Sequence, residues 1–428
     1  MITIGKPFVA VEGERAYLKA RVDISDDAVS RYVRETSKKD RVYWVTDIDY
    51  PPAAWKDDDF CAFFSVQKEY AEYLCVERSN AFVIAFFWYA CVAGSDITFE
   101  MPMSKRLYDG ITSMLLPRLR DNGVEPIKLI GPVTDEKVKC ENGVVTGMSG
   151  GVDSSYTLMN YGGDNAPGGK KLTHLAIYEA AYYLFTKKDY PDDVDAIYES
   201  EDKINAHVLE RAKMIAEHNN LPLIHVRTNL DKGFYRGALQ FTAMYRYLAC
   251  TLSLEHLYNT YISSSSGHEE GQLEVSLFAP TQHYEDFLCE CLQTENFVYM
   301  TSDHDSRITK LKALADNTDF QKSASVCFNT QKDGENCGEC YGCWKTMIPL
   351  DFIGKLDNFR ESFDVDKYYA NRENVYKDLI EFSKSPECSS ARKTIELLLE
   401  EADKEPSEAG ELFRKVYAEK LSPTRQKE

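Results

Sequence analysis

The segment that most limits how this chain can fold is Met148-Ser149-Gly150-Gly151-Val152-Asp153-Ser154-Ser155, which joins the apolar run Val144-Val145 to the start of a helical pattern. Two adjacent glycines between a strand-like and a helix-like stretch require a tight turn, and they let the backbone approach an anion with no side chain in the way. Ser149, Ser154 and Ser155 add hydroxyl donors. The helix that follows would aim its free N–H groups and the positive end of its dipole at the same point. The combination predicts a phosphate cradle. Asp153 would repel a phosphate by itself, so it is expected as a magnesium ligand or as a helix cap.

From Val144 onward, short apolar stretches alternate with amphipathic ones. Strands are expected over 144–148, 173–178, 223–227, 259–264 and 297–300, with helices near 153–160, 205–219 and 241–256. In the second helix Val208, Leu209, Ala212, Ile215 and Ala216 share one apolar face. Such alternation predicts an α/β fold built on a doubly wound parallel sheet covered on both faces. Ligands bind such sheets beyond the carboxyl ends of the strands, where the strand order reverses. The segments 263–268 and 303–310 should border that crevice, which makes Ser265, His268, Arg307 and Lys310 candidate substrate contacts. Arg307 and Lys310 lie three apart on a helix and could meet one anion together. A serine-rich surface turn and a solvated helix start are the alternatives. The glycine-rich stretch 162–169 lacks the spaced Gly-Lys-Ser/Thr of a Walker loop, so no second nucleotide site is expected there.

Cys327, Cys337, Cys340 and Cys343 carry an independent signal. Overlapping C-x-x-C pairs present three sulfurs from one tight knuckle, with Gly338 and Gly342 allowing the turns, and a fourth sulfur arrives from upstream. A structural Zn2+ site is expected, since four sulfurs leave no open position for water or substrate. A redox dithiol, a disulfide pair and an iron–sulfur cluster are the rival readings. The other eight of the twelve cysteines are scattered, as reduced thiols of a cytoplasmic protein would be. No export signal is evident at the N-terminus, and the longest apolar run, 81–93, is too short to span a bilayer.

Three regions are expected. Residues 1–135 read as an N-terminal α+β module of unknown role, with strands near 8–11 and 17–22, a break at 49–52, and helices over 67–74, 80–93 and 105–119. Its tryptophans Trp44, Trp55 and Trp88 read as core. Residues 136–360 carry the glycine loop, the sheet and the cysteine knuckle 327–343. Residues 361–428 form a charged helical extension in which Ile395, Leu398 and Leu399 repeat at helical spacing, suited to packing or to a homo-oligomer interface. Fifty basic against sixty-nine acidic residues give a formal charge of -19, which makes nucleic acid a poor default partner.

The order S-G-G-x-D-S resembles the PP-loop of the N-type ATP pyrophosphatases, whose sheet is of the adenine nucleotide alpha hydrolase-like kind. Followed by a sheet and a cysteine knuckle, it resembles the QueC-type 7-cyano-7-deazaguanine synthases over roughly residues 140–355. The resemblance implies that Ser149, Gly150, Gly151, Asp153 and Ser154, with Ser155 beside them, bind ATP and Mg2+. It also implies that Asp153 and Ser154 are catalytic and that the four cysteines bind zinc. The activity implied is adenylylation of a small-molecule carboxylate, that of 7-carboxy-7-deazaguanine, with release of pyrophosphate. Ammonia then gives an amide, and a second ATP-dependent step gives a nitrile. The long N-terminal region and the helical extension are similar to those of enlarged QueC-like proteins from bacterial anti-phage systems, in which a deazaguanine acid is joined to a protein amine; a protein substrate is then a partner. Converting a carboxylate to an acyl adenylate supplies a good leaving group, so no side-chain nucleophile is required. Another PP-loop ligase or tRNA-modifying enzyme, and a non-catalytic nucleotide-binding scaffold, are the competing readings.

Overall fold

Residues of Gly143-Val144-Val145-Thr146-Gly147 alternate between two apolar surroundings, and the strand they form lies inside the sheet. The computed structural model describes residues 1–36, 61–121, 123–180, 194–230, 239–265, 284–327, 335–384 and 389–421. Its strands are β1 (Ile2–Ile4), β2 (Phe8–Glu12), β3 (Arg15–Ile24), β4 (Cys61–Gln67), β5 (Ile97–Phe99), β6 (Met103–Ser104), β7 (Leu129–Ile130), β8 (Val133–Thr134), β9 (Gly143–Gly147), β10 (His174–Glu179), β11 (Leu223–Thr228), β12 (Tyr258–Ser263) and β13 (Val298–Thr301). Eleven of them form one mixed, largely parallel sheet in the order β13-β12-β9-β10-β11-β4-β3-β1-β5-β7, with β2 also paired to β3, while β6 and β8 pair separately.

The five strands expected from Val144 onward are β9 to β13, all parallel to their neighbours in this set. Their order reverses at β9, with β10 and β11 on one side and β12 and β13 on the other. Successive side chains of a strand point to opposite faces. Val145, Ala176, Ile224, Val226, Tyr261 and Tyr299 accordingly enter one core, and Val144, Leu175, Ile177 and Ile262 enter another. The second core is closed by α5 (Val152–Tyr161) and by α6 (Val194–His218), through Leu158, Tyr161, Ala212, Ile215 and Ala216. Helix α6 starts well before the expected residue 205.

The N-terminal region contributes α1 (Asp26–Thr36), α2 (Asn80–Ala93), α3 (Lys105–Gly110) and α4 (Leu116–Asp121). All of α2 is buried, as a helix apolar on every side must be. It packs against α7 (Leu239–Leu252) beneath the central strands, and Gly94 ends it in the left-handed conformation. Trp88 is buried within it. The stretch 67–74, expected as an α-helix, is the 3-10 helix Lys68–Tyr73. The helix expected over 105–119 is interrupted by a π turn at Ile111–Leu115. Gly110 precedes this turn where a Cβ would lie 2.0 Å from the Cys291 carbonyl oxygen. The region read from sequence as a module of its own shares the central sheet: β4 pairs antiparallel with β11 through Arg227 opposite Ser65 and Thr228 opposite Phe64. Arg15 adds bonds from its Nη2 to the Ser65 and His225 carbonyls, at 2.6 and 2.9 Å. Trp44, Trp55 and the break at 49–52 lie outside the described residues.

After β12 come α8 (Tyr284–Cys291), α9 (Arg307–Leu314), α10 (Thr318–Ser323) and α11 (Tyr341–Phe352). The extension folds as α12 (Val365–Ser383), α13 (Ser389–Lys404) and α14 (Glu408–Leu421). These helices pack on α11: Phe352, Tyr376 and Phe413 meet edge to face, Ile395 and Leu398 are buried, and Leu399 packs at the margin. Asp351 at the end of α11 accepts hydrogen bonds from the Tyr368 and Tyr376 hydroxyls, each at 3.0 Å. Among the described residues no helix is long and apolar enough to cross a membrane.

Candidate functional site

The glycine loop leaves β9 at the point where the strand order reverses. Gly150 has φ +75, a conformation that L side chains rarely adopt, and a Cβ there would stand 3.0 Å from the Ser323 carbonyl oxygen. Its own carbonyl accepts the Ser325 N–H at 2.9 Å, so the loop is tied to the segment that leads into the cysteine knuckle. Asn336 secures that segment from the other side, bonding the Val326 N–H at 3.0 Å and the Ala324 carbonyl at 2.7 Å.

Gly151 is the N-cap of α5 and no side chain caps the helix. Asp153, one reading of which was a cap, stands instead inside the first turn. The Ser149 and Ser154 hydroxyls lie 3.3 Å apart, and the Ser154 hydroxyl also donates to the Gly151 carbonyl at 3.1 Å. Ser155 is buried in the helix and does not line the cavity.

Arg307 and Lys310 do meet an anion together, and it is the Asp153 carboxylate. Arg307 Nη1 donates to Asp153 Oδ2 at 3.1 Å, and Lys310 Nζ donates to Oδ1 at 3.0 Å. Both cations are buried, which removes the reading of a solvated helix start. Lys310 is shared with Asp303 at 3.0 Å and with the carbonyl of Ser265. Arg307 Nη2 reaches Thr346 Oγ1 at 3.3 Å. Burial works against the charge of Asp153, but the positive charges of Arg307 and Lys310 outweigh it and hold its carboxyl below the usual range. Burial likewise opposes the charge of Lys310, and Asp153 and Asp303 outweigh it, raising its affinity for its proton.

A cavity of about 390 Å³ opens beside this network. Ser149, Gly151, Asp153 and Ser154 form its floor, with Ser263, Ser264, Glu285, Arg307 and Lys345 around them. Tyr178, Tyr247 and Tyr261 supply an aromatic wall in which Tyr178 stacks on Tyr247 with centroids 5.8 Å apart. Burial pushes the Glu285 carboxyl up to about 7, with a Ser265 hydrogen bond pulling it down and the charge of Asp153 pushing it further up. Ser265 is therefore a support behind the wall and does not itself line the cavity. His268 lies outside the described residues. Sequence reasoning missed Lys345, Glu285 and the three tyrosines. Lys345 had a visible signal: a lysine two positions after Cys343 in a largely apolar helical stretch.

The four knuckle cysteines converge, with all four Sγ atoms within 4.8 Å of one another. Cys327 and Cys340 are 3.8 Å apart and Cys340 and Cys343 3.7 Å. A tetrahedral site with zinc–sulfur bonds of about 2.3 Å has an edge of about 3.8 Å. The Cys337 N–H points at the Cys327 sulfur at 3.4 Å and the Glu339 N–H at the Cys337 sulfur at 3.3 Å, an arrangement that stabilises thiolates. Gly338, at φ +74, makes the turn between them. No disulfide forms among these four, which could hold a metal ion such as zinc. Comparison with family models, with curated proteins and with solved structures finds no match to this chain.

Proposed function

We propose that this chain is a QueC-like, PP-loop ATP-dependent carbon–nitrogen ligase that activates a carboxylate as its adenylate and passes the acyl group to ammonia or to a protein amine. One observation carries the reading. An uncapped helix start and a glycine–serine loop open into a cavity with Arg307 and Lys345 on its walls, at the strand-order reversal where such sheets bind ligands. The first N–H groups of α5 and the Ser149 and Ser154 hydroxyls would hold the ATP phosphates. Arg307 and Lys345 would stabilise the charge that builds on pyrophosphate as it leaves.

In the reaction a carboxylate oxygen of the substrate attacks the α-phosphorus and pyrophosphate departs. The amine nitrogen then attacks the acyl carbon, loses a proton and expels AMP. The tyrosine wall suits a flat heterocyclic acid such as 7-carboxy-7-deazaguanine. Mg2+ bound to the nucleotide would offset phosphate charge. Asp153, already holding two buried cations, is not a free ligand for magnesium in this arrangement. Its role in this reading is to orient Arg307 and Lys310. We assign zinc to the four cysteines as a structural ion that steadies residues 323–327, and through Ser325 the loop carbonyl of Gly150.

The test is incubation with ATP and 7-carboxy-7-deazaguanine, with and without ammonia, followed by mass analysis of nucleotide and purine. AMP, pyrophosphate and an amide or nitrile are expected; stoichiometric ADP and phosphate would reject the reading.

A further inference from the structure

At the amino ends of the central strands, away from the cavity, three segments meet. Cys75 follows the 3-10 helix Lys68–Tyr73, Glu77 lies two residues on, and His256 stands in the turn just before β12. Cys75 is buried and its N–H donates to the Ser253 carbonyl at 3.0 Å. Its Sγ is 3.7 Å from Glu77 Oε2, and the same oxygen is 2.9 Å from His256 Nε2. The three donor atoms lie within 4.8 Å of one another. His256 Nδ1 is 2.8 Å from the carbonyl oxygen of Lys139, which can only accept, so the proton sits on Nδ1 and Nε2 is the nitrogen turned to the cluster. A backbone carbonyl that accepts from the other ring nitrogen commonly fixes the tautomer and orientation of a ligating histidine.

We propose that Cys75, Glu77 and His256 bind a zinc-class transition-metal ion at a second site, separate from the four-cysteine knuckle. A tetrahedral zinc with ordinary bond lengths has a nitrogen–oxygen edge of about 3.4 Å and sulfur–oxygen and sulfur–nitrogen edges of about 3.6 Å, so the two spacings to Glu77 need a shift of about half an ångström or less, and Cys75 Sγ and His256 Nε2, within 4.8 Å of each other, close onto the same ion. One thiolate, one imidazole and one carboxylate suit zinc and disfavour calcium or magnesium, which take oxygen ligands. On binding, the Cys75 thiol proton, and any proton on His256 Nε2, passes to solvent. Solvent reaches the fourth position past Glu77, whose side chain is 51% exposed. The ion would staple the approach to α2 onto the turn that opens β12, joining the N-terminal helices to the central sheet.

The rival is a plain histidine–glutamate ion pair beside a buried thiol, and metal counting on the full-length protein separates the two. After zinc loading and removal of excess, two zinc ions per chain are expected for the wild type. Cys75→Ser and His256→Gln should each hold one, and Cys340→Ser should keep the one at the new site while losing the knuckle ion. Should these variants fold poorly, Glu77→Gln on the exposed rim serves, with zinc affinity at this site falling about tenfold or more. Equal zinc content in wild type and Cys75→Ser, or unchanged affinity in Glu77→Gln, would overturn the site and leave the ion pair.

Discussion

Lys310 Nζ lies 3.0 Å from the carboxylate of Asp153 although 157 residues separate them, and the Lys310 side chain is wholly buried. A buried ion pair adds little net stability when whole, but removing one partner strands the other charge, at about 3 to 5 kcal/mol. Lys310→Met, which takes this cation from Asp303 and from Asp153 and leaves Asp153 with Arg307, should approach that range by urea denaturation. A loss below about 1 kcal/mol would show that the network is not closed in solution.

Asp153→Asn should lower both stability and turnover, because Arg307 loses this counter-charge and Lys310 is left with Asp303. A magnesium-ligand role alone predicts lost turnover with an unchanged melting temperature. Asp153→Asn protein with normal stability and a hundredfold loss of AMP formation would therefore return Asp153 to the metal.

Lys345→Met keeps the length and apolar stem of a buried side chain that reaches the cavity. Pyrophosphate exchange into ATP should drop about a hundredfold, the usual effect of deleting one transition-state contact, with little change in melting temperature. Undiminished exchange would take Lys345 out of the phosphate site.

Removing the knuckle metal should loosen more than the knuckle. Such sites contribute on the order of 10 to 16 kcal/mol of apparent binding energy in isolated peptides, and less where a folded domain already gathers the ligands. Because Ser325, two residues before Cys327, holds the Gly150 carbonyl, chelation or Cys340→Ser should weaken nucleotide binding as well as stability. Titration with a fluorescent ATP analogue, before and after chelation, checks the coupling.

Glu285 sets a pH dependence. Its carboxyl, ordinarily at 4.5, is raised to about 7 in the folded state, mainly by burial. The folded state therefore keeps a proton that the unfolded state has already released. Stability should be greatest below about 4.5 on this account and should fall as pH rises through about 7. Glu285→Gln should flatten that slope in denaturation curves taken from pH 5 to 8, and an unchanged slope would show that Glu285 titrates normally.

The positions of β2, β3 and β9 to β13, the loop and the knuckle were legible in the sequence because each depends on neighbours close along the chain, whereas β1 and β4 to β8 were not anticipated. The apolar run of β9, the double glycine with Gly150 at positive φ, and the C-x-x-C spacing state their geometry within a few residues. The helix of 80–93 was legible for the same reason, since apolar residues on every side leave only a buried place for it.

The partners were not legible. Arg307 and Lys310 read as a pair awaiting an anion, but which anion depends on α5 and α9 packing side by side, and the answer is an internal carboxylate. The edge of β11 takes β4, so sheet and core continue into the N-terminal region. Lys345 and Glu285 join the cavity, and His256 meets Cys75 and Glu77, only after distant segments close on one another. Local periodicity specifies which face of an element must be buried; the hydrogen-bond partner of a strand edge and the counter-charge of a buried ion are set by whatever packs there, which only the tertiary structure decides.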